Sequence, residues 1–528
     1  MPMSRQRMGC DLVLLKGNIV TMDRKTERAE AVAIAGERII ATGKNSEIKR
    51  LVGRRTKVIN LRGRTVVPGM IDAHIHFIDY GLSLKRIDLR DARSIADIQA
   101  KVGAVAKATR PGKWITGRSW DQERLKEKRY PNRHDLDKVS PQNPVILNRV
   151  CGHIAVANSP ALQIANVSKE TPDPQGGQID KDPETGEPAG ILRDEAMPLV
   201  WNHVPPPTKE ELVEAIDAAS QKALSAGLTS VHALLRNSAY MEALQQARAT
   251  GRLGVRVYMG IPVELLDHLI GLGIGTGFGD SWLRVGCVKM LLDGSLGGRT
   301  AALKEPYADD PTNKGLLLYQ EEEVRQLVSK AHDSGYQLAI HAIGDHAIEL
   351  ALDAIEEAQK KTPRKNHRHR IEHASIISPE QIDRMAEMKV IASVQPAFVT
   401  SDFWAKDRVG KRREKWIYPF KTLFKRLVAS AGSDCPVEHL DPLEGMWAGV
   451  TRAGFLPDER ISVEEALQMY TVNAAYASFE ENDKGSITEG RLADLIVLSS
   501  DPFKVSPEKL RSIKIDRVIV GGKVIKNR

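Results

Sequence analysis

Two histidines, His74 and His76, stand two positions apart at the end of an apolar run that follows Pro68-Gly69. Residues i and i+2 of a β-strand point to the same side, so both imidazoles are expected to face one point at the end of this strand. Neutral imidazole is a common ligand of zinc and related divalent metals. Taken alone, the pair fits a buried strand with two ordinary histidines equally well, so a metal site needs further ligands from elsewhere in the chain.

Further candidate ligands lie at the ends of later apolar runs, which alternate with helical patterns. Each one alone has a structural explanation, such as a core histidine, a surface lysine or a helix cap, but their joint position at predicted strand ends favours one shared site. Together with the first pair they offer four imidazoles and a carboxylate, a set that suits one or two ions of Zn²⁺ or another borderline divalent metal. These candidates are Lys289, His341, His373 and Asp434.

The lysine of this set, Lys289, cannot ligate a cation as an ammonium. Burial beside a metal favours its neutral amine. Our hypothesis is that this amine takes up CO₂ and becomes a carbamate, an oxygen ligand able to bridge two ions. The alternative is a Schiff-base lyase or aldolase with Lys289 as the nucleophile, but that chemistry leaves the four histidines and Asp434 without a role.

Eight strand candidates in the middle of the chain must position these side chains. Helical patterns such as 209–226 and 321–334 separate them, which predicts parallel strands joined by helical crossovers. Eight such units make a (β/α)₈ TIM barrel, an α/β fold whose enzymes carry their chemistry at the carboxyl ends of the strands. The predicted strands are Ile71–His76, Ser230–Leu234, Val255–Gly260, Arg284–Leu291, Gln337–Ile343, His369–His373, Val390–Gln395 and Val428–Ser433.

Short strands and turns at both ends of the chain predict one composite β-sandwich domain from residues 1–66 and 480–528, with the TIM-barrel domain at 67–479. The interval 88–207 is too long for a plain crossover, so we expect an inserted subdomain over the barrel mouth. Within it, His153 and Trp120 are candidate substrate-binding residues. For His153 the competing interpretation is that it ties the insertion to the barrel, and for Trp120 it is packing.

Composition restricts the class of protein. The 528 residues are 42% hydrophobic and 27% charged, as in ordinary soluble proteins. The net charge of +8 comes from 76 basic and 68 acidic residues mixed along the chain, whereas nucleic-acid binders cluster their basic residues. Four widely spaced cysteines argue against a zinc ribbon or a disulfide framework and fit a reducing compartment. With no signal-like or membrane-spanning run, we expect a cytoplasmic enzyme with a small-molecule substrate, no nucleic-acid or membrane partner, and homo-oligomerisation left open.

The motifs around the candidate ligands carry a resemblance. The chain resembles the amidohydrolase superfamily and, within it, amidohydrolase family 3, over nearly its whole length. This resemblance implies a (β/α)₈ barrel with a composite β-sandwich and a centre of one or two metal ions. The motifs that carry it are Val67–His76, Lys289–Gly297, His341–Ala347, Arg370–His373, Gly432–Asp434 and Gly490–Leu495.

The resemblance also implies a role for each ligand. By position, His74 and His76 hold the more buried ion. Carboxylated Lys289 bridges the two ions, and His341 and His373 hold the second one.

Asp434 is implied to contact the first ion and to act as the general base toward the hydrolytic water. The implied reaction is hydrolysis of an amide-type carbon–nitrogen bond of a small molecule by metal-activated water. Ester hydrolysis and deamination are the alternatives within the same superfamily.

Overall fold

The structure is a computed structural model of the 528-residue chain, and it describes residues 9–149, 154–174 and 177–525. The chain divides into two compact units: Met1–Gly81 with Leu212–Arg528, and Leu82–Glu211. Within the described ranges, every helix is too short or too polar to cross a bilayer.

Short apolar strands and tight turns make up the amino-terminal segment. Gly36 (φ 56°) and Gly63 (φ 80°) occupy left-handed turn positions that glycine adopts without a steric penalty. Such turns reverse the chain so that its short strands pair within two sheets. The elements are β1 (Leu12–Leu15), β2 (Asn18–Val20), β3 (Arg28–Ala29), β4 (Ala31–Ala35), β5 (Arg38–Gly43), α1 (Asn45–Ile48), β6 (Lys57–Asn60) and β7 (Thr65–Pro68).

The first barrel strand, β8 (Met70–Ile75), and helix α2 (Phe77–Ser83) lead into the inserted unit. That unit is somewhat wider than the predicted 88–207 and is built on one mixed sheet of order β13-β14-β12-β11-β10-β9. Its elements are β9 (Ile87–Asp88), α3 (Ile95–Ala108), β10 (Ile115–Trp120), α4 (Arg133–Asp137), β11 (Val145–Arg149), β12 (Ile154–Ala157), α5 (Ser159–Ile164), β13 (Gly177–Lys181), β14 (Pro188–Asp194) and α6 (Pro198–Trp201).

The barrel sheet continues after the insertion with seven strands. They pair in parallel in the order β21-β20-β19-β18-β17-β16-β15-β8. The predicted (β/α)₈ fold is confirmed, and each strand lies close to its predicted bounds. These strands are β15 (Leu228–Leu234), β16 (Arg256–Pro262), β17 (Leu283–Leu291), β18 (Gln337–Ala342), β19 (Arg370–His373), β20 (Ile391–Val394) and β21 (Ala429–Ala431).

Helices lie between successive barrel strands and also follow the last of them. The crossovers bury apolar residues at helical spacing, as α11 does with Ile348, Leu352 and Ile355. The helices are α7 (Lys209–Ser225), α8 (Ser238–Ala249), α9 (Leu266–Leu272), α10 (Glu321–Asp333), α11 (Asp345–Lys361), α12 (Pro379–Glu387), α13 (Phe398–Ser401), α14 (Ala405–Val409), α15 (Phe420–Arg426), α16 (Pro442–Thr451), α17 (Val463–Met469) and α18 (Val472–Ala477).

The barrel closes at the carboxyl ends of its first and last strands. Asp434 N–H donates to the carbonyl of His74 at 2.8 Å, and His76 N–H donates to the carbonyl of Cys435 at 3.0 Å. A Cβ at Gly432 would lie 2.5 Å from the backbone nitrogen of His74, so only glycine permits this approach. Closure therefore brings the end of β8 against the residues that follow β21.

The carboxyl-terminal strands complete the β-sandwich. Strand β7 pairs antiparallel with the first of them, so both termini contribute to one six-stranded sheet, of order β24-β23-β22-β7-β2-β3. This sheet and the four-stranded sheet β5-β4-β1-β6 share a buried apolar core that includes Leu14, Ile34 and Leu495. The strands are β22 (Leu495–Leu498), β23 (Ile515–Val520) and β24 (Lys523–Ile525).

Candidate metal centre

His74, His76 and Asp434 form a cluster at the point where the barrel closes. One potential ligand atom from each lies within 4.8 Å of the other two. The Nε2 atoms of His74 and His76 are 3.3 and 3.2 Å from Oδ1 of Asp434. The histidine pair at the end of β8 faces one point as its i, i+2 spacing predicts, and barrel closure supplies the carboxylate. These residues suit a divalent metal.

The surroundings of the Asp434 carboxyl favour its anionic form. Burial favours its neutral form, but the adjacent imidazoles of His74 and His76 outweigh burial and hold its pKa well below the usual range. Oδ1 accepts no hydrogen bond of good geometry from any described residue. An anionic oxygen that faces two imidazoles and lacks a donor of its own is suited to ligate a metal or to accept a proton.

Two further histidines extend this cluster. The ring centroid of His373 lies 4.8 Å from that of His74 and 4.5 Å from that of His341. Nδ1 of His373 bonds Oε1 of Gln395 at 2.7 Å, and Nε2 of His341 bonds the carbonyl of Gly294 at 3.1 Å. These bonds use one nitrogen of each ring and leave Nε2 of His373 and Nδ1 of His341 for a metal.

Lys289, on β17, adjoins the same cluster. Its side chain interacts electrostatically with His74, His373 and Asp434. The residue is only 6% exposed, and burial lowers the pKa of its amine. Among the described residues, Nζ has no hydrogen-bond partner. A buried amine with no hydrogen bond is unusual in proteins. Burial favours its neutral form here.

The sequence predicted no role for Glu372 and Arg370, although both lie in the motif Arg370–His373. Oε2 of Glu372 lies 2.5 Å from Nδ1 of His74, and Nε of Arg370 donates to Oε1 at 2.7 Å. All three side chains are buried. The available signal was two opposite charges at i and i+2 in a strand that is otherwise buried, because such charges are rarely buried unless they are paired.

The substrate-binding prediction for Trp120 is wrong. Trp120 is 0% exposed in the core of the inserted unit. Its indole N–H donates to the carbonyl of Leu147 at 2.8 Å, and its ring meets Tyr130 edge-on at 5.8 Å. The side chain is therefore used for packing and offers no surface to a substrate. The other predicted contact, His153, lies outside the described residues.

Comparison with known proteins agrees with this geometry. The model of the amidohydrolase family matches residues 57–526. YtcJ of Bacillus subtilis, whose name places it among amidohydrolases, is 36% identical over 96% of this chain and 98% of its own length. N-substituted formamide deformylase of Arthrobacter pascens is 29% identical, with 97% of each chain covered. The crystal structure of an uncharacterized metal-dependent hydrolase from Pyrococcus furiosus superposes with a TM-score of 0.81 at 35% identity, covering 94% of this chain and all of the other.

The chain therefore belongs to the amidohydrolase family, as its motifs predicted. Membership of this family, together with the histidine and aspartate cluster, makes it a metal-dependent hydrolase.

Proposed function

We propose that this hydrolase cleaves an amide-type carbon–nitrogen bond of a small molecule. The observation that carries the proposal is the cluster of His74, His76 and Asp434 at the carboxyl end of the barrel, with His341 and His373 beside it. The resemblance to N-substituted formamide deformylase over 97% of the chain supports an amide as the substrate. Ester hydrolysis and deamination are the competing reactions of the same centre.

The donor set fits a divalent ion, with zinc favoured. Four imidazoles and one carboxylate are ligands of the type that zinc prefers. A bound ion would supply Lewis acidity toward the substrate carbonyl and would lower the pKa of a water molecule at the site.

Asp434 carries the proton in the proposed reaction. Its anionic carboxylate accepts the proton of the attacking water and then donates it to the departing amine, so one group serves as general base and then as general acid.

The side chain of His76 is 31% exposed, whereas that of His74 is 1% exposed. The substrate therefore approaches the cluster from the side of His76.

We further propose that Lys289 is carboxylated. A neutral, unpartnered amine is the form that reacts with CO₂, and the product is an anion that several adjacent imidazoles and metal charge would stabilise. The nitrogen gains the carbon of CO₂ and loses one proton to solvent.

The same unpartnered amine is also what a Schiff-base lyase requires, which makes this the second candidate function. Borohydride treatment with a carbonyl substrate separates the two. A covalent adduct on Lys289 would support the lyase, and its absence supports the hydrolase.

The test of the main proposal is a matched substrate panel. Full-length protein is stripped with a chelator, reloaded with Zn²⁺, and assayed on formamides, acetamides and the corresponding esters with comparable leaving groups. We expect amide turnover to disappear on stripping and to return on reloading, with kcat/KM higher for amides than for esters. Metal-independent turnover, or a preference for esters or for ring deamination, would contradict the proposal.

A further inference from the structure

We propose that Glu372 and Arg370 are positioning residues that hold His74 in the single tautomer able to bind a metal through Nε2. This inference rests on the metal centre of the proposed function. It does not depend on which bond the enzyme cleaves.

Glu372 sets the tautomer of His74. One carboxylate oxygen, Oε1, receives Nε–H of Arg370 at 2.7 Å, and the other, Oε2, lies 2.5 Å from Nδ1 of His74. The permanent positive charge of the guanidinium favours the carboxylate anion, which can only accept hydrogen bonds. The proton of the neutral imidazole therefore sits on Nδ1, and Nε2 presents its lone pair toward Asp434 and His76.

Arg370 supports this arrangement through hydrogen bonds to groups on several other strands. Its Nη1 donates to Nδ1 of His232 on β15 at 2.9 Å. Its Nη2 donates to the carbonyl of Ala73 on β8 at 2.6 Å and to the hydroxyl of Ser393 on β20 at 3.1 Å. Ala73 immediately precedes His74. Arg370 therefore holds His74 twice, through the carboxylate that meets its ring and through the backbone that carries it.

Contact between one carboxylate oxygen and a candidate metal ligand separates Glu372 and Arg370 from an ordinary buried ion pair. Arg256 and Asp494 form such a pair: Nε and Nη2 of the arginine bond the two carboxylate oxygens at 2.7 and 3.1 Å. Both members are also buried. They join the start of β16 to the residue before β22, in the same compact unit but away from the ligand cluster. A buried pair of that kind often contributes little net stability, whereas Glu372 gives one of its oxygens to a candidate ligand.

The experiment compares two isosteric variants of the full-length protein, Glu372→Gln and Asp494→Asn. Each neutralises the acid of one buried arginine pair. After metal stripping, Zn²⁺ affinity is measured by chelator competition, and the visible spectrum is recorded with Co²⁺. We expect Glu372→Gln to lose on the order of 10- to 100-fold in Zn²⁺ affinity, the usual effect of removing a group that orients a ligand, and to alter the Co²⁺ spectrum. Asp494→Asn should lower thermal stability and keep both metal readouts.

Wild-type Zn²⁺ affinity and an unchanged Co²⁺ spectrum in Glu372→Gln would overturn the inference, as would an equal loss of affinity in Asp494→Asn. A second measurement needs no change at residue 372. The ¹⁵N ring signals of histidine-labelled, Zn²⁺-loaded protein report which ring nitrogen carries the proton. The signal of His74 is identified by its loss in His74→Gln, and it should show protonation at Nδ1. Protonation at Nε2 would also overturn the inference. Because these readouts are metal binding and tautomer, failure to hydrolyse amides would reject the proposed function and leave this inference standing.

Discussion

Ser433 donates both its backbone N–H and its hydroxyl to the carboxylate of Asp72, at 3.0 Å to Oδ1 and 2.5 Å to Oδ2. Asp72 lies two residues before His74, and Ser433 lies one residue before Asp434. The backbone N–H of His74 donates to the same carboxylate at 3.1 Å. This buried bracket therefore ties together the two chain segments that carry the ligand cluster.

Loss of the bracket should weaken both the fold and the metal site. Ser433→Ala leaves Oδ2 of Asp72 without its hydroxyl donor, and an unsatisfied buried acceptor costs about 1–3 kcal/mol. We expect a lower free energy of unfolding in denaturant and weaker Zn²⁺ binding, because Asp434 loses part of its support. Ser430→Ala is the matched control, since the buried hydroxyl of Ser430 has no hydrogen-bond partner among the described residues. Equal losses in the two variants would argue against the bracket.

Asp434→Asn should abolish most turnover and keep the fold. The amide nitrogen and oxygen occupy the same space, but they cannot take a proton from water at neutral pH, so kcat should fall by about 10²- to 10⁴-fold. Asp441→Asn serves as the control. Asp441 caps helix α16 by accepting from Leu443 N–H at 2.9 Å, and asparagine caps as well as aspartate does. A fully active Asp434→Asn enzyme would remove this residue from the reaction.

Carboxylation of Lys289 predicts a CO₂-dependent site. Depletion of CO₂ during metal stripping should prevent full Zn²⁺ reloading, and bicarbonate should restore it. Native mass spectrometry should show the mass of one CO₂ on wild-type protein and not on Lys289→Met. Lys484 is the internal comparison: it is also buried, but its Nζ lies 2.8 Å from Oε2 of Glu480, so it lacks the unpartnered amine of Lys289. Zn²⁺ reloading that does not depend on CO₂ or bicarbonate would count against the carbamate.

A cluster of three histidines, His332, His367 and His369, should make the fold sensitive to acid. His369 Nδ1 accepts from Leu338 N–H at 3.0 Å, its Nε2 meets Nδ1 of His332 at 2.8 Å, and Nε2 of His332 meets the carbonyl of Thr362 at 2.7 Å. This chain of bonds requires neutral rings. Burial lowers the pKa of all three, that of His367 to about 4.

The sign of the effect follows from these depressed pKa values. Below the ordinary histidine pKa of 6.5 the unfolded chain binds more protons than the folded one, so the free energy of unfolding falls as the pH drops from 6.5 toward 4. The slope is at most about 1.4 kcal/mol per pH unit for each histidine. Denaturant titrations at several pH values would measure it, and His332→Gln should reduce the slope. His134→Gln, at an exposed helix position, should not. A slope that is the same in all three proteins would contradict this account.

The barrel and the convergence of His74 and His76 with Asp434 could be predicted because their signals are local. Continuous apolar runs with polar residues at their ends mark parallel strands buried on both faces, and the i, i+2 spacing of His74 and His76 fixes their direction. The convergence of these residues with Asp434 then follows from the rule that barrel strands end at one rim.

The role of Glu372 could not be predicted in the same way. Strict alternation places Glu372 and His373 on opposite sides of β19, so only one of them is expected at the site. In the structure His373 has a left-handed backbone (φ 74°), which breaks the alternation and lets both side chains meet His74. No sequence pattern announces a positive φ at a histidine. The sequence does not predict the burial of Trp120 either, because that burial depends on packing within the inserted unit.

Closure of the barrel between β8 and the residues after β21 has a consequence for how the protein is made. His74 leaves the ribosome early, whereas Asp434 follows only after 359 further residues have been synthesised. Contacts between such distant segments form late and slowly. A nascent chain that has not yet reached β21 therefore lacks the assembled cluster, and acquisition of the metal becomes one of the last events of its maturation.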